Sequence, residues 1–228
     1  MRRAMILAAG EGRRMRPLTA DKPKPLIEVG GKPLLAFHLE RLVAAGFSDI
    51  VVNASYHAQQ IVDYCGDGTR WGCRINVIVE PTPLETAGGI LNALPSLGDE
   101  PFAVVNGDVF TDYPLERLRL HDLMADDAHL VMIPNPTHHP DGDFKLSDGR
   151  IGVGSGSRVT FSGLSVMSSA LFAGLASGKS ALRPRLEAAI SSQRLSGELW
   201  SGLWSDVGTP ERLEALENSL RDGSNPTS

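Results

Sequence analysis

Short apolar runs alternate with longer amphipathic stretches in the first half of the chain. Continuous apolar runs rich in valine, isoleucine and alanine predict buried strands, and apolar residues three and four positions apart predict helices between them. The predicted strands are residues 5–9, 49–53, 74–79 and 102–106, and the predicted helices are residues 33–45, 59–64 and 86–94. This order is typical of βαβ units in a largely parallel sheet.

The pattern is less regular after residue 107. It predicts further strands at residues 129–134, 144–147, 150–153 and 159–167, and further helices at residues 115–125, 181–193 and 210–220. The shorter strands are spaced like antiparallel hairpins. The predicted fold class is therefore α/β, with a three-layer, Rossmann-like, mostly parallel sheet and inserted antiparallel hairpins. We expect a single domain over residues 1–222 and a disordered tail over residues 223–228, which are small and polar.

Composition and charge exclude several classes of function. The 228 residues include 22 Lys and Arg and 27 Asp and Glu, a net charge of −5, which disfavours nucleic-acid binding. Cys65 and Cys73 lack metal-ligand spacing, so we expect reduced thiols. The apolar run at residues 4–9 leads into charged residues, unlike a signal peptide, and no segment approaches a membrane span. We therefore expect a cytoplasmic protein without nucleic-acid or membrane partners.

A glycine-rich turn follows the first predicted strand. Because glycine accepts positive φ and leaves space, the backbone N–H groups of residues 10–12 can converge on a phosphate. The turn is not a Walker A loop, and Met15 stands where a dinucleotide fingerprint needs its third glycine. Three arginines follow within four positions, and Lys24 lies between Pro23 and Pro25. A phosphate cradle explains these cations, and a solvated basic loop is the alternative.

These residues resemble a known motif. The stretch LAAGEGRRMRPLTADKPKPL (residues 7–26) resembles the N-terminal signature of the sugar-1-phosphate nucleotidylyltransferases, and ETAGG, VNGD and WSDVGTP match later motifs in family order. Within this family, the residues at the motif positions are most similar to those of the uridylyltransferases of bacterial cell-wall recycling. The mannose-1-phosphate guanylyltransferases are the next most similar group. Arg13 departs from the usual threonine. The usual Glu-Lys-Pro segment is absent, and residues 152–157 stand in its place.

The resemblance implies substrates, a cofactor and residue roles. It implies UTP and a sugar 1-phosphate as substrates and Mg²⁺ as cofactor. The sugar phosphate is already ionised, so catalysis needs cations and orientation rather than a general base. The implied catalytic residues are Arg14 and Lys24, and the implied metal ligands are Asp108, which ends a buried apolar strand, and Asp206, which lies between Trp204 and Gly208.

The implied binding residues fall into two groups. Those for the nucleotide are Ala8, Ala9, Gly10, Glu11, Gly12, Arg13, Arg14, Lys24, Glu80, Thr86 and Gly88. Those for the sugar are Asn106, Glu85, Gly142, Asp143 and Ser162.

Several alternatives stay open. Either aspartate alone is equally compatible with a turn or helix cap. A mannose- or glucose-1-phosphate nucleotidylyltransferase is the alternative within the family, and a non-catalytic nucleotide-sugar sensor is the alternative outside it. The adjacent pair His138 and His139 favours a surface loop over a metal site, because neighbouring imidazoles point in different directions. Monomer and homodimer are both compatible with the sequence.

Overall fold

The computed structural model describes residues 1–222, and the predicted tail at 223–228 lies outside the described residues. The strands are β1 (Arg3–Leu7), β2 (Glu28–Val29), β3 (Lys32–Pro33), β4 (Asp49–Ala54), β5 (Arg74–Val79), β6 (Phe102–Asn106), β7 (Val109–Thr111), β8 (Ala128–Ile133), β9 (Lys145–Ser147), β10 (Arg150–Gly152), β11 (Thr160–Met167), β12 (Leu195–Leu199) and β13 (Trp204–Asp206). The helices are α1 (Leu34–Ala44), α2 (Ala58–Cys65), α3 (Glu85–Leu97), α4 (Glu116–Leu120), α5 (Arg183–Ser191) and α6 (Pro210–Asp222).

Nine of these strands form one sheet, in the order β5-β4-β1-β6-β11-β8-β12-β10-β9. Strands β11 and β10 run antiparallel to their neighbours, and the other seven point in one direction. Leu7 at the end of β1 pairs with both Asn53 and Asn106, so three parallel strands end at the same level. The predicted α/β fold class, with its mostly parallel sheet and inserted hairpins, is confirmed.

Both faces of the sheet are covered. Met5 packs in the cluster beside α3 and α5, whereas its neighbour Ile6 packs in the cluster beside α1 and α2. This opposite placement follows from the two-residue period of a strand, and it explains why the central strands carry apolar residues on both faces. The result is the three-layer arrangement that buries both faces of a parallel sheet.

A third, smaller cluster lies beyond the sheet. It joins the loop after β1 to α1 and α6, and its buried members are Met15, Ile27, Val29, Leu34, Val207 and Leu216. Because Met15 is fully buried here, it anchors the turn that carries the arginines. The residue that breaks the dinucleotide fingerprint therefore has a packing role.

Some local predictions were wrong. The helix predicted at residues 115–125 ends at Leu120, because the Asp122 carboxylate accepts the Met124 N–H at 3.0 Å and forms a turn instead. Strand β12 (Leu195–Leu199) was not predicted, since its sequence LSGEL has a weak apolar alternation. Cys65 and Cys73 are both free, as expected. Within residues 1–222, every helix falls short of the length or apolar character that crossing a bilayer requires.

Candidate active site at the carboxyl edge of the sheet

The loop after β1 forms a tight turn at Gly12. Gly12 has a φ of +61°, and a Cβ there would lie 3.0 Å from Thr19 Cγ2 and 3.1 Å from Lys24 Cβ. The Thr19 hydroxyl donates to the Gly12 carbonyl at 2.8 Å. Positive φ and the crowding together require glycine here. Gly10 is different, since a Cβ there would meet no atom within 4 Å and would project into open space.

A lysine and an aspartate meet across this loop. Lys24 Nζ donates to Asp108 Oδ2 at 2.5 Å, with the lysine side chain 12% and the aspartate side chain 34% exposed. Asp108 follows β6, and Lys24 begins a single 3₁₀ turn. The prolines on either side of Lys24 have fixed φ angles, which restrict the backbone of this segment. Two opposite charges that are 84 positions apart in the chain therefore lie together at the end of the sheet.

The two residues line a depression of about 310 Å³, which we call the phosphate chamber. Its lining residues come from the glycine-rich loop, the start of α3, the end of β6 and the segment before α6: Leu7, Ala8, Gly10, Gly12, Arg13, Arg14, Lys24, Pro25, Thr86, Asn106, Gly107, Asp108 and Gly208. The structure thus brings together most of the predicted phosphate-binding residues.

Two further depressions continue from it. The side chamber, about 540 Å³, is lined by Glu85, Thr86, Asn106, Asp143, Phe144, Phe161, Ala181, Leu182, Arg183 and Leu186. The acidic chamber, about 380 Å³, is lined by Arg14, Asn106, Asp108, Val109, His138, His139, Asp143, Thr160, Phe161, Ser162, Trp204, Asp206 and Arg212. All three share Asn106, so they form one continuous cleft.

A bulge in β11 makes space for Asn106. The pairing of β11 with β8 shifts register between Phe161 and Leu164. Gly163 within the bulge has a φ of +84°, and a Cβ there would lie 2.6 Å from Asn106 Nδ2. The bulge and the glycine together let the amide occupy the centre of the cleft.

The two aspartates predicted as metal ligands line the same chamber. Asp206 pairs with Val109 across β13 and β7, and the Val207 N–H donates to the Asp108 carbonyl at 2.8 Å. Asp206 Oδ2 accepts a hydrogen bond from Arg212. Asp206 Oδ1 is buried, receives no hydrogen bond from residues 1–222 and lies 3.1 Å from His138 Nε2.

These carboxylates suit a hard cation that also binds substrate. Within the described part of the chain, no group of three or more His, Cys, Asp or Glu side chains is arranged to hold a metal by itself. Mg²⁺ commonly takes one or two carboxylates and completes its shell with phosphates and water. Asp206 has one oxygen without a hydrogen-bond partner among the described residues and lines the same chamber as Asp108, so the pair fits that role.

A buried polar chain supports the glycine-rich loop from behind. The Ala8 N–H donates to Asn53 Oδ1 at 2.8 Å, and Asn53 Nδ2 donates to Glu80 Oε1 at 2.7 Å. Glu80 Oε2 accepts the Leu84 N–H at 3.0 Å. Asn53 and Glu80 are 3% and 2% exposed. Glu80 therefore positions the loop through Asn53 and is turned away from the cleft.

Four other predicted residues do not line the cleft: Ala9, Glu11, Gly88 and Gly142. A Cβ at Gly88 would lie 2.2 Å from the Gly178 carbonyl oxygen, so this glycine is required by backbone packing. A Cβ at Gly142, whose φ is +60°, would lie 2.6 Å from Asn135 Oδ1. The binding roles of these residues, and of Glu80, stay predictions.

Several cleft residues were not predicted. The main ones are Phe144, Phe161, Arg183 and Arg212, and Asn53, which supports the loop from behind, was not predicted either. Asn53 had a detectable signal, because it ends a buried strand as Asn106 does. His138 and His139 lie on a loop, as expected, but that loop lines the acidic chamber, and His139 Nε2 lies 3.2 Å from Asp143 Oδ1.

A buried histidine lies beneath the cleft on α1. His38 is 5% exposed, and its Nε2 has no hydrogen-bond partner within the described residues. Burial, and to a lesser extent the nearby Arg41 guanidinium, lower the pKa of His38 to about 4, although Asp108 opposes the shift. The imidazole is therefore neutral at pH 7.

Known proteins resemble this chain over nearly its whole length. The family described as nucleotidyl transferase matches residues 3–143. The N-acetylmuramate α-1-phosphate uridylyltransferase of Neisseria meningitidis serogroup B is 47% identical, covering 94% of this chain and 96% of that protein. The enzyme of the same name from Caulobacter vibrioides is 32% identical, covering 96% and 97%. A solved UDP-glucose pyrophosphorylase complexed with UDP-glucose shares the fold, with a TM-score of 0.79 at 16% identity, covering 98% of this chain and 99% of that one.

Proposed function

The chain belongs to the nucleotidyl transferase family, and from that premise we propose that it transfers a uridylyl group from UTP to N-acetylmuramate α-1-phosphate. The products are UDP-N-acetylmuramate and pyrophosphate. Near-full-length similarity to two relatives named for this reaction supports the choice of sugar and base. We assign the reaction to peptidoglycan recycling.

The observation that carries the proposal is the composition of the cleft. A glycine-rich turn, the cations Arg14 and Lys24 and the carboxylates Asp108 and Asp206 all line connected chambers around Asn106. The cations suit a triphosphate, and the adjoining side chamber is large enough for a substituted sugar. This combination serves phosphoryl chemistry between two anionic substrates.

The transfer is an in-line displacement. An oxygen of the sugar phosphate attacks the α-phosphorus of UTP, and the bond from that phosphorus to the oxygen of the β-phosphate breaks as pyrophosphate leaves. The nucleophile is already an anion, so the protein must hold two repelling polyanions together and neutralise developing charge. Lys24 serves the α-phosphate and the incoming sugar phosphate, and Arg14 at the mouth serves the departing pyrophosphate.

The metal ligands in this proposal are Asp108 and Asp206. When bound there, Mg²⁺ supplies further charge neutralisation at the phosphates. Lys24 already contacts Asp108, so the aspartate also orients the catalytic ammonium. Arg212 holds one oxygen of Asp206, and the other, which lies beside His138, accepts no hydrogen bond from the described residues.

The decisive experiment measures pyrophosphate release with Mg²⁺. UTP is tested with the 1-phosphates of N-acetylmuramate, N-acetylglucosamine, glucose and mannose, and the best sugar is then tested with GTP and dTTP. Preference for UTP with the muramate phosphate is the expected result. Preference for mannose phosphate with GTP would identify a guanylyltransferase instead, and binding without any turnover would identify a nucleotide-sugar sensor.

A further inference from the structure

The side chamber has apolar walls and one cation. Phe144, Phe161, Leu182 and Leu186 form most of its apolar lining, and Arg183 is the one Lys or Arg among its described lining residues. A single guanidinium beside an apolar wall suits a ligand group that carries both an anion and a hydrocarbon part.

Arg183 is held so that part of its guanidinium stays available. Its guanidinium carbon lies 5.0 Å from the centre of the Phe144 ring, and its Nε donates to Glu187 Oε1 at 2.9 Å. Nη1 lies 3.9 Å from Asp143 Oδ1, beyond hydrogen-bond distance. Among the described residues, neither Nη atom therefore donates a hydrogen bond, although the ring and Glu187 fix the plane of the group.

The neighbouring carboxylates already have partners. Glu85 lies 3.4 Å from Lys179 Nζ. Asp143 accepts the Phe161 N–H at 2.9 Å through Oδ2, and its Oδ1 lies 3.2 Å from His139 Nε2. These contacts offset the repulsion that a second anion would otherwise meet at the chamber.

Resting on the proposed function, we propose that Arg183 binds the carboxylate of the 3-O-lactyl group of N-acetylmuramate and that the apolar wall receives its methyl group. The lactyl ether contributes one carboxylate and one methyl to the sugar, and N-acetylglucosamine lacks both. Arginine binds carboxylates through a planar pair of donors, whereas hexose hydroxyls do not require a cation. Arg183 is thus a specificity residue that discriminates muramate from glucosamine.

The test compares binding of UDP-N-acetylmuramate and UDP-N-acetylglucosamine by isothermal titration calorimetry, so it does not depend on turnover. Arg183→Gln should reduce the preference for the muramate nucleotide by about 10- to 100-fold, the effect of losing a charge-assisted hydrogen bond. Arg194→Gln is the matched control, since it makes the same substitution at a side chain that is 49% exposed and lines none of the three chambers. It should leave the ratio of the two affinities within about 2-fold.

The outcomes separate this inference from the proposed function. Equal weakening of both nucleotides by Arg183→Gln, or no change in either, would overturn the role of Arg183 while the parent's reaction stands. Pyrophosphate release by the parent protein on the two sugar phosphates tests the function itself. A parent that does not prefer the muramate phosphate would overturn the proposed function, and the lactyl assignment with it. A thermal melt of each variant establishes that it is folded.

Discussion

Lys24 Nζ and Asp108 Oδ2 lie 2.5 Å apart although the two residues are 84 positions apart in the chain. The bond joins the loop after β1 to the loop after β6, which are neighbouring parallel strands. In the proposed reaction it holds an ammonium beside the phosphates of both substrates. The arrangement links the proposed catalytic cation directly to a proposed metal ligand.

Replacing Lys24 should impair chemistry more than binding. We expect Lys24→Ala to reduce kcat by about 100- to 1000-fold, the usual effect of removing one preorganised charge that faces a transition state. Lys22→Ala is the matched control, because Lys22 lies in the same proline-rich segment, 46% exposed, 3.7 Å from Glu28. Steady-state pyrophosphate release measures both. An unchanged kcat for Lys24→Ala would remove this residue from the mechanism.

Replacing Asp108 should alter the response to metal. Asp108→Asn keeps the size of the side chain but removes the charge that faces the cation, so we expect at least about a 100-fold loss of activity. The concentration of Mg²⁺ at half-maximal rate should also rise. A titration of rate against Mg²⁺ measures both effects, with the surface variant Asp63→Asn on α2 as control. If Asp108→Asn kept the parent's titration curve, Asp108 would not be a metal ligand.

The buried chain behind the glycine-rich loop should contribute to stability. Asn53→Ala leaves the Ala8 N–H and the Glu80 carboxylate without their partner. Unsatisfied buried groups cost about 1–3 kcal/mol each, so the free energy of unfolding should fall by about 2–5 kcal/mol. Urea unfolding measures this loss. Asn76 lies on the edge strand β5, and its side-chain amide donates to the Ser96 hydroxyl on α3. Asn76→Ala should lower the free energy of unfolding by less than about 1 kcal/mol. Equal losses in the two variants would mean that the chain contributes no special stability.

His38 should make stability depend on pH. Its folded-state pKa of about 4 lies below the unfolded value near 6.5, so the unfolded chain binds the proton first as the pH falls. The free energy of unfolding should therefore decrease between pH 6.5 and 4, by about 3 kcal/mol from this group, and the loss should level off below pH 4. Urea unfolding at several pH values measures the slope. His38→Leu should flatten the profile in that window, and an unchanged profile would show that other groups cause the dependence.

Local patterns specified much of the fold. Strands β1, β4, β5 and β6 were predictable because each is a continuous apolar run bounded by turn residues. Strand β12 was not, because its apolar alternation is weak and its parallel partner β8 is distant in the chain, and hairpin β2–β3 was not, because each of its strands has only two residues. The helix predicted to residue 125 was wrong, since the turn at Asp122 replaced its second half.

The candidate site, like the fold, has a part that the sequence predicts and a part that depends on the tertiary structure. The sequence by itself determined the glycine-rich turn, the cations Arg14 and Lys24, and the aspartates Asp108 and Asp206, because these residues stand in short motifs that are recognisable without the fold. The tertiary structure decided that Asn106 is the centre of the cleft, that Glu80 is turned away from it, and that Arg183 faces an apolar chamber. These facts depend on the register of strands and on the bulge at Gly163, which bring together residues far apart in the chain.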